Sequence, residues 1–364
     1  MIRAWTAALF ASLTASAATT TVPATAPAAA SARSDGLRVG VYYFPGWRGG
    51  AQDDSWKPIT AFKDRQPTIG WYDSGSTAVM ARQLDQMRRH GIDYVAFDWF
   101  WDGNHVHADQ AVRAYLQVPQ SDVSFSLLWA NDKPFTQDQW HAIVQFWIDH
   151  YFRSPKYLRV NGKPVVFVLT YQGLAQNAAT QKTSVAAYVA TAQRMARAAG
   201  LPGLYMVADL DDLSTALADE EAVKAGFSAV SAYNMHRGPW RGERPGWYKL
   251  TQGYPALDRA YRQNWAEAFR GPLDVVVPMV SGWDRRPWGG SADPLHDRSI
   301  ATAAQFGQHL AAARATMLAH GAKSRLGVIC CWNEYGEGSF IEPTVEGGDA
   351  KLRQIARVFG QQGN

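Results

Sequence analysis

The sequence predicts a single (β/α)8 barrel. Three observations carry that reading: eight apolar runs of strand length, helical-period segments between several of them, and glycines where those helices hand over to strands. The runs are Leu37–Phe44, Tyr94–Phe100, Phe125–Trp129, Pro164–Leu169, Leu204–Ala208, Ala229–Tyr233, Val275–Val280 and Leu326–Trp332. Each is near-continuously apolar rather than alternating, as parallel strands covered on both faces are.

The helices are read from their spacing. Met80, Leu84 and Met87 share one face, as do Trp140, Val144, Trp147 and Tyr151, and Phe306, Leu310 and Met317. Gly91, Gly200, Gly226 and Gly321 each stand between a helix and the next strand, where a left-handed C-cap is expected. Leu352, Ile355 and Val358 mark a closing helix between Asp349 and Phe359. An open doubly wound sheet is excluded at its usual landmark. The first run leads into Pro45-Gly46-Trp47-Arg48-Gly49-Gly50, which lacks GxGxxG spacing and opens no helix.

Domain limits follow from composition. Met1-Ile2-Arg3, an Ala/Leu-rich stretch and Ala15-Ser16-Ala17 have the three parts of a secretory signal at 1–17, so export to the periplasm or medium is expected. That stretch is too short for a permanent membrane span. An Ala/Thr/Pro/Ser tail at 18–34 cannot bury enough surface to fold, which leaves 35–362 as the barrel. Cys330 and Cys331 are adjacent in a predicted strand, where neighbouring side chains point to opposite faces. Two buried free thiols are favoured over a vicinal disulfide.

Of the 364 residues 47% are hydrophobic and 19% charged, enough apolar material for a large core and too little charge for a disordered chain. The net charge of +4 comes with no Lys/Arg run, which argues against a nucleic-acid partner. Fifteen tryptophans, among them Trp47, Trp56, Trp71, Trp240, Trp283 and Trp288 in polar or Gly/Pro-flanked stretches, suggest rings that stack on sugars. Any one of them taken alone reads better as core.

A barrel carries its chemistry beyond the C-terminal strand ends. There the sequence places Tyr43 and Trp47, then Asp98 and Trp99, then Trp129 and Asn131, and Tyr171. Asp209, Asp211 and Asp212 follow, then Tyr233, Asn234 and His236, then Trp283, Asp284 and Arg285. Trp332, Asn333, Glu334, Tyr335 and Glu337 complete the rim. Carboxylates, amides and aromatics are what glycoside cleavage needs, with one carboxyl to protonate the leaving oxygen and a second as base or nucleophile. Glu334 and Glu337 are the strongest pair, on one loop beside Gly336 and Gly338 and followed by Glu342. Two loop glutamates in isolation would read as solvated charge; their place after an apolar strand favours chemistry. Tyr43, Trp47, Asp98, Trp99, Trp129, Asn131, Tyr171, Tyr233, Asn234, Trp283, Asp284, Arg285, Trp332, Asn333 and Tyr335 are expected to bind substrate.

Asp209, Asp211 and Asp212 lack the glycine and glutamate of a calcium loop, and Asp211 and Asp212 alternatively begin a helix. There is no HExxH, His105 and His107 read as an exposed loop, and no GxSxG is present. No metal or other cofactor is expected. The partner expected is an oligo- or polysaccharide, bound by a monomer.

These residues resemble glycoside hydrolase family 99, the endo-α-mannosidase-type enzymes, and more closely the WbsX proteins linked to surface polysaccharide loci. The matching pieces are Gly40-Val41-Tyr42-Tyr43-Phe44-Pro45 with Trp47, Gln86-Met87 through Gly91-Ile92-Asp93, and Leu128-Trp129-Ala130-Asn131. Pro278, Gly282-Trp283-Asp284, and Trp332 through Gly338 to Ile341-Glu342-Pro343 complete them. The resemblance implies a retaining endo-hydrolase of an α-linked polysaccharide. Glu334 would deprotonate the sugar's own 2-hydroxyl for attack on the anomeric carbon, and Glu337 would act as acid and then base. Between the two glutamates the established hydrolases carry a histidine adjoining the second, where this chain has Gly336, as in the WbsX branch. A glycan-binding barrel without turnover and a polysaccharide-assembly transferase are the competing readings.

Overall fold

The computed structural model describes residues 33–211, 213, 216–236, 253–291, 297–320 and 323–360. The expected signal, all but the end of the expected tail, Asp212, Trp240, the joint at Gly321 and the last two residues of the expected barrel lie outside them. Arg33, assigned to the tail, instead ion-pairs with Asp93 at the foot of the second strand.

Eight strands form the barrel: β1 Arg38–Tyr43, β2 Tyr94–Asp102, β3 Ser124–Trp129, β4 Lys163–Val168, β5 Tyr205–Asp209, β6 Ala229–Ser231, β7 Val277–Val280 and β8 Leu326–Cys330. All neighbours pair in parallel, β8 with β1 from Arg38↔Leu326 to Val41↔Ile329 and β1 with β2 from Gly40↔Tyr94 to Tyr43↔Phe97. A two-residue strand, Asp274–Val275, pairs with β6, and one residue later β7 pairs with β8. Val276 between them donates its N–H to Val230 O at 3.0 Å, so this one segment joins both ends of the sheet and closes the circle.

Each predicted run contains its strand to within two residues. The differences have causes. β2 runs on to Asp102 because its end folds into an antiparallel pairing with His105–His107, so those exposed histidines sit on a strand rather than a loop. β6 stops at Ser231 and β8 at Cys330, since beyond them the chain turns into the mouth loops.

Helix Thr77–Arg89 buries Met80, Leu84 and Met87, Gln137–Trp147 buries Trp140, Val144 and Trp147, and Ala303–His320 buries Phe306, Leu310 and Met317. Their starts are set by side chains: Ser76 accepts from Val79 N, and Thr136 with Gln139 forms a reciprocal capping box. The closing helix Ala350–Phe359 buries Phe359 in its last turn in place of Val358. It meets the joint at Gly91, where φ is +79° and a β-carbon would lie 2.9 Å from Phe359 O. The helix after β5 begins at Ala216, so Asp211 does not start it.

Three apolar clusters divide the molecule. Val39, Val41, Phe97 and Leu127 face the helices, while Tyr42, Tyr94, Leu128, Phe167 and Val207 fill the barrel interior. A third, around Trp47, Trp56, Tyr72 and Tyr335, underlies the mouth. Among the described residues no helix is long and apolar enough to cross a membrane.

Candidate active site

Beyond β8 the chain forms a small hairpin that carries both glutamates. Asn333–Glu334 pairs antiparallel with Ser339–Phe340, Glu334 opposite Ser339, and Gly338 N–H returns to Tyr335 O at 3.4 Å. Gly338 holds φ +71° with the space for a β-carbon only 2.7 Å from Asp284 N, so glycine is required there. Asp284 N–H in turn donates to Glu337 O at 2.6 Å, tying the turn to the loop after β7.

Asn333 fixes where Glu334 emerges. Its carboxamide pairs with the backbone of Phe44 like a strand neighbour, Phe44 N–H donating to Oδ1 and Nδ2 donating to Phe44 O, both at 2.9 Å. Trp47 Nε1 donates to Asn333 O at 2.9 Å. Behind the hairpin, Glu342 accepts from Tyr72 and Tyr335 hydroxyls at 2.7 and 2.8 Å and from Gln83 Nε2 at 2.8 Å. Burial pushes the Glu342 carboxyl up to about 7 despite those donors.

The two cysteines differ from the sequence expectation. Cys330 and Cys331 are joined in a disulfide, not free. The peptide between them is cis, and their Cα atoms stand 2.9 Å apart.

Glu334 is 4% exposed, and its Oε1 accepts from the Tyr233 hydroxyl at 2.8 Å. Burial first, then the charges of Glu337 and Asp98, hold its carboxyl well above the ordinary range, while the Tyr233 hydrogen bond draws it down. Burial raises Glu337 to about 7, against the pull of the Arg285 guanidinium. Asp98 and Asp209 are raised too, chiefly by burial. One oxygen on each of these four acids, Asp98 Oδ1, Asp209 Oδ1, Glu334 Oε2 and Glu337 Oε2, is buried without a protein partner. Sugar hydroxyls are donors of the kind such oxygens accept.

A recess of about 180 Å³ opens at the mouth, with Glu337, Tyr233, Asn234, His236 and Trp283 among its walls. His236 lies flat on Trp283, rings 3.7 Å apart and 5° from parallel. Asn234 is fixed by Nδ2 donating to Ser339 Oγ at 2.7 Å. A second trough of about 320 Å³ runs between Phe44, Phe100, Trp101, Asp132 and Lys133 on the opposite flank of β1.

Of the residues expected to bind substrate, the structure gathers Tyr233, Asn234, Trp283 and Glu337 at the recess, with Arg285 exposed beside it. Others are placed behind the mouth, which corrects the idea of an aromatic rim. Tyr43, Trp47, Trp99, Trp129, Trp332 and Tyr335 are at most 1% exposed. Their rings pack on one another, Trp47 on Trp56 at 4.0 Å and Trp129 on Trp140 at 4.9 Å, which leaves no face for a sugar. Tyr171 opens helix Tyr171–Thr180 and packs on Phe227. Asn131 repeats the Asn333 device on Thr170, taking its N–H at 3.1 Å and donating to its O at 2.9 Å. Asp284 is buried between Arg65, 2.8 Å away, and Arg286, so it anchors the loop instead of meeting substrate.

Arg65, Tyr72 and Gln83 carry the site and have no signal in the sequence. Tyr72 and Gln83 reach Glu342 across 270 and 259 residues, a pairing without local pattern. Among the described residues no group of three or more His, Cys, Asp or Glu could hold a metal ion.

A family model described as glycosyltransferase WbsX matches residues 62–355. No curated protein matches the chain by sequence. A solved "glycoside hydrolase-like protein" shares the fold with a TM-score of 0.65 and 17% identity, over 89% of this chain and 94% of that one. The family 99 endo-α-mannosidase from Bacteroides thetaiotaomicron, solved with bis-tris propane, gives 0.61 and 15% over 88% and 95%. At these identities the likeness is one of fold, the (β/α)8 barrel.

Proposed function

The chain belongs to the WbsX family, and on that premise we propose that it is an exported, retaining endo-glycosidase acting on an α-linked extracellular or envelope polysaccharide. What carries the reading is the hairpin that holds Glu334 and Glu337 together at the barrel mouth, with Tyr233 donating to Glu334. Two buried carboxyls, one of which feels the charge of the other, share protons as a pair. The Tyr233 hydrogen bond favours charge on Glu334, against burial and the neighbouring carboxylates, which favour its protonated form; in this reading Glu334 is ionised and Glu337 protonated when the sugar is bound. Glu334 then takes the proton of the sugar's 2-hydroxyl, whose oxygen attacks the anomeric carbon from within the ring substituents. Glu337 gives its proton to the departing glycosidic oxygen. In the second half Glu337 takes a proton from water, the water oxygen opens the strained anhydro sugar, and Glu334 returns the proton to the 2-oxygen. The Cys330–Cys331 disulfide supports an oxidising, exported setting.

Incubation with a panel of α-linked polysaccharides, read by new reducing ends and chromatography, tests the proposal. Glu334→Gln and Glu337→Gln should each abolish release while melting like the parent. Full activity in both would sink it. Because the family description names a transferase, the same chromatograms are read for elongated chains, which would mark transfer to a sugar hydroxyl in place of water.

A further inference from the structure

We propose that Asp98 is a third carboxyl of this site, one that keeps its proton in the working enzyme and donates it as a hydrogen bond to a hydroxyl of the bound sugar. The inference rests on the roles given to Glu334 and Glu337 above. Asp98 lies in β2 opposite Leu128 of β3, at the mouth end of the strand, and is 5% exposed. Its Oδ1 is buried and meets no protein partner.

The groups around it come from four elements. The β8 hairpin contributes Glu334 and Glu337, β5 contributes Asp209, the turn after β6 contributes Tyr233, and β1 contributes Tyr42. Tyr42 donates to Asp209 Oδ2 at 2.9 Å, and the Tyr233 hydroxyl, which donates to Glu334 Oε1 at 2.8 Å, also lies close enough to act on Asp98. The guanidinium of Arg285 acts on Glu337, and among the described residues no cation acts on Asp98. Burial comes first in favouring the protonated form; carboxylate charge on Asp209, and on Glu337 whenever it is ionised, adds to it, and only the Tyr233 hydroxyl opposes it.

Two consequences follow for chemistry. A second charge beside Glu334 would raise that group further and rob it of its role as base, so a neutral Asp98 protects the ionised state that the first step needs. A protonated carboxyl is also a donor, which no ionised acid can be. Sugar hydroxyls both give and accept, and beside the carboxyls of Glu334, Glu337 and Asp209 the scarce partner is a donor. Oδ1 of Asp98 supplies it.

The test begins on the substrate-free full chain. Infrared difference spectra between the parent and Asp98→Asn at neutral pH should show the carbonyl stretch of a protonated carboxylic acid that disappears in the variant. If no such band is lost, Asp98 is ionised and the proposal is overturned, whatever the enzyme hydrolyses. On any polysaccharide the parent cleaves, Asp98→Asn, neutral and still able to donate, should stay within about fivefold in kcat/KM, whereas Asp98→Ala loses roughly tenfold to a hundredfold. Equal losses in both variants, with the parent's melting temperature retained, would overturn the donor role. Loss of a band from a protein that cleaves nothing in the panel would uphold the protonated Asp98 and refute the hydrolase reading instead.

Discussion

The indole of Trp288 lies directly against the backbone of Gly336, so close that a β-carbon at 336 would stand 2.0 Å from Cε2. Trp288 is also held by Phe44 and Trp47, with ring centroids 5.9 and 6.5 Å away, and cannot simply swing aside. The residue just before Glu337 is therefore glycine because a tryptophan occupies the volume that a side chain there would need.

Gly336→Ala should accordingly destabilise the protein by about 1–3 kcal/mol, the usual cost of overpacking a filled site. Combining it with Trp288→Ala should return part of that loss, which chemical denaturation of the four chains in a double-mutant cycle would measure. Additive losses would show that the contact is not the reason for the glycine.

Tyr233→Phe removes the hydrogen bond that draws the Glu334 carboxyl down. Glu334 should then hold its proton to higher pH, and the acid limb of the kcat/KM profile should move upward by roughly 0.7 of a pH unit, the equivalent of a hydrogen bond of about 1 kcal/mol. The alkaline limb, which in this reading follows loss of the proton from Glu337, should move less. An acid limb that stays in place, or shifts downward, would contradict the assignment of Glu334 as the base.

Glu342 offers a test on stability alone. Its carboxyl is held up to about 7 in the folded chain against an ordinary value of 4.5. The folded state thus binds the proton more tightly, and the stability this gives is full below the ordinary value and lost as pH rises through 7. Between pH 5 and pH 8 the parent should lose stability faster than Glu342→Gln, by up to about 1.4 kcal/mol per pH unit. Denaturant titrations at several pH values would read the difference, and parallel slopes would refute it.

The barrel was legible because each strand and helix announces itself locally. Val39 and Val41 with their neighbours are apolar on both faces, and Met80, Leu84 and Met87 repeat at the helical period. Glu334 and Glu337 could be picked out for a similar reason, since their hairpin lies within ten residues of a recognisable strand end. The tryptophans misled because a ring's sequence surroundings do not say which of its faces is covered. Trp47 stands in a glycine-rich loop yet is buried by Trp56, and that depends on a chain path with no local signature. Arg65 went unnoticed for the same reason: it meets Asp284 from the other end of the sequence.

The mouth is stitched at two points by carboxamides, Asn333 onto Phe44 and Asn131 onto Thr170. Neither amide gains or loses a proton at any pH a cell presents. Between these stitches sit Glu334 and Glu337, whose charges are set to change with the medium. The frame is thus indifferent to the very variable that its contents respond to. Protons can come and go at the centre while the loops that aim them keep their register.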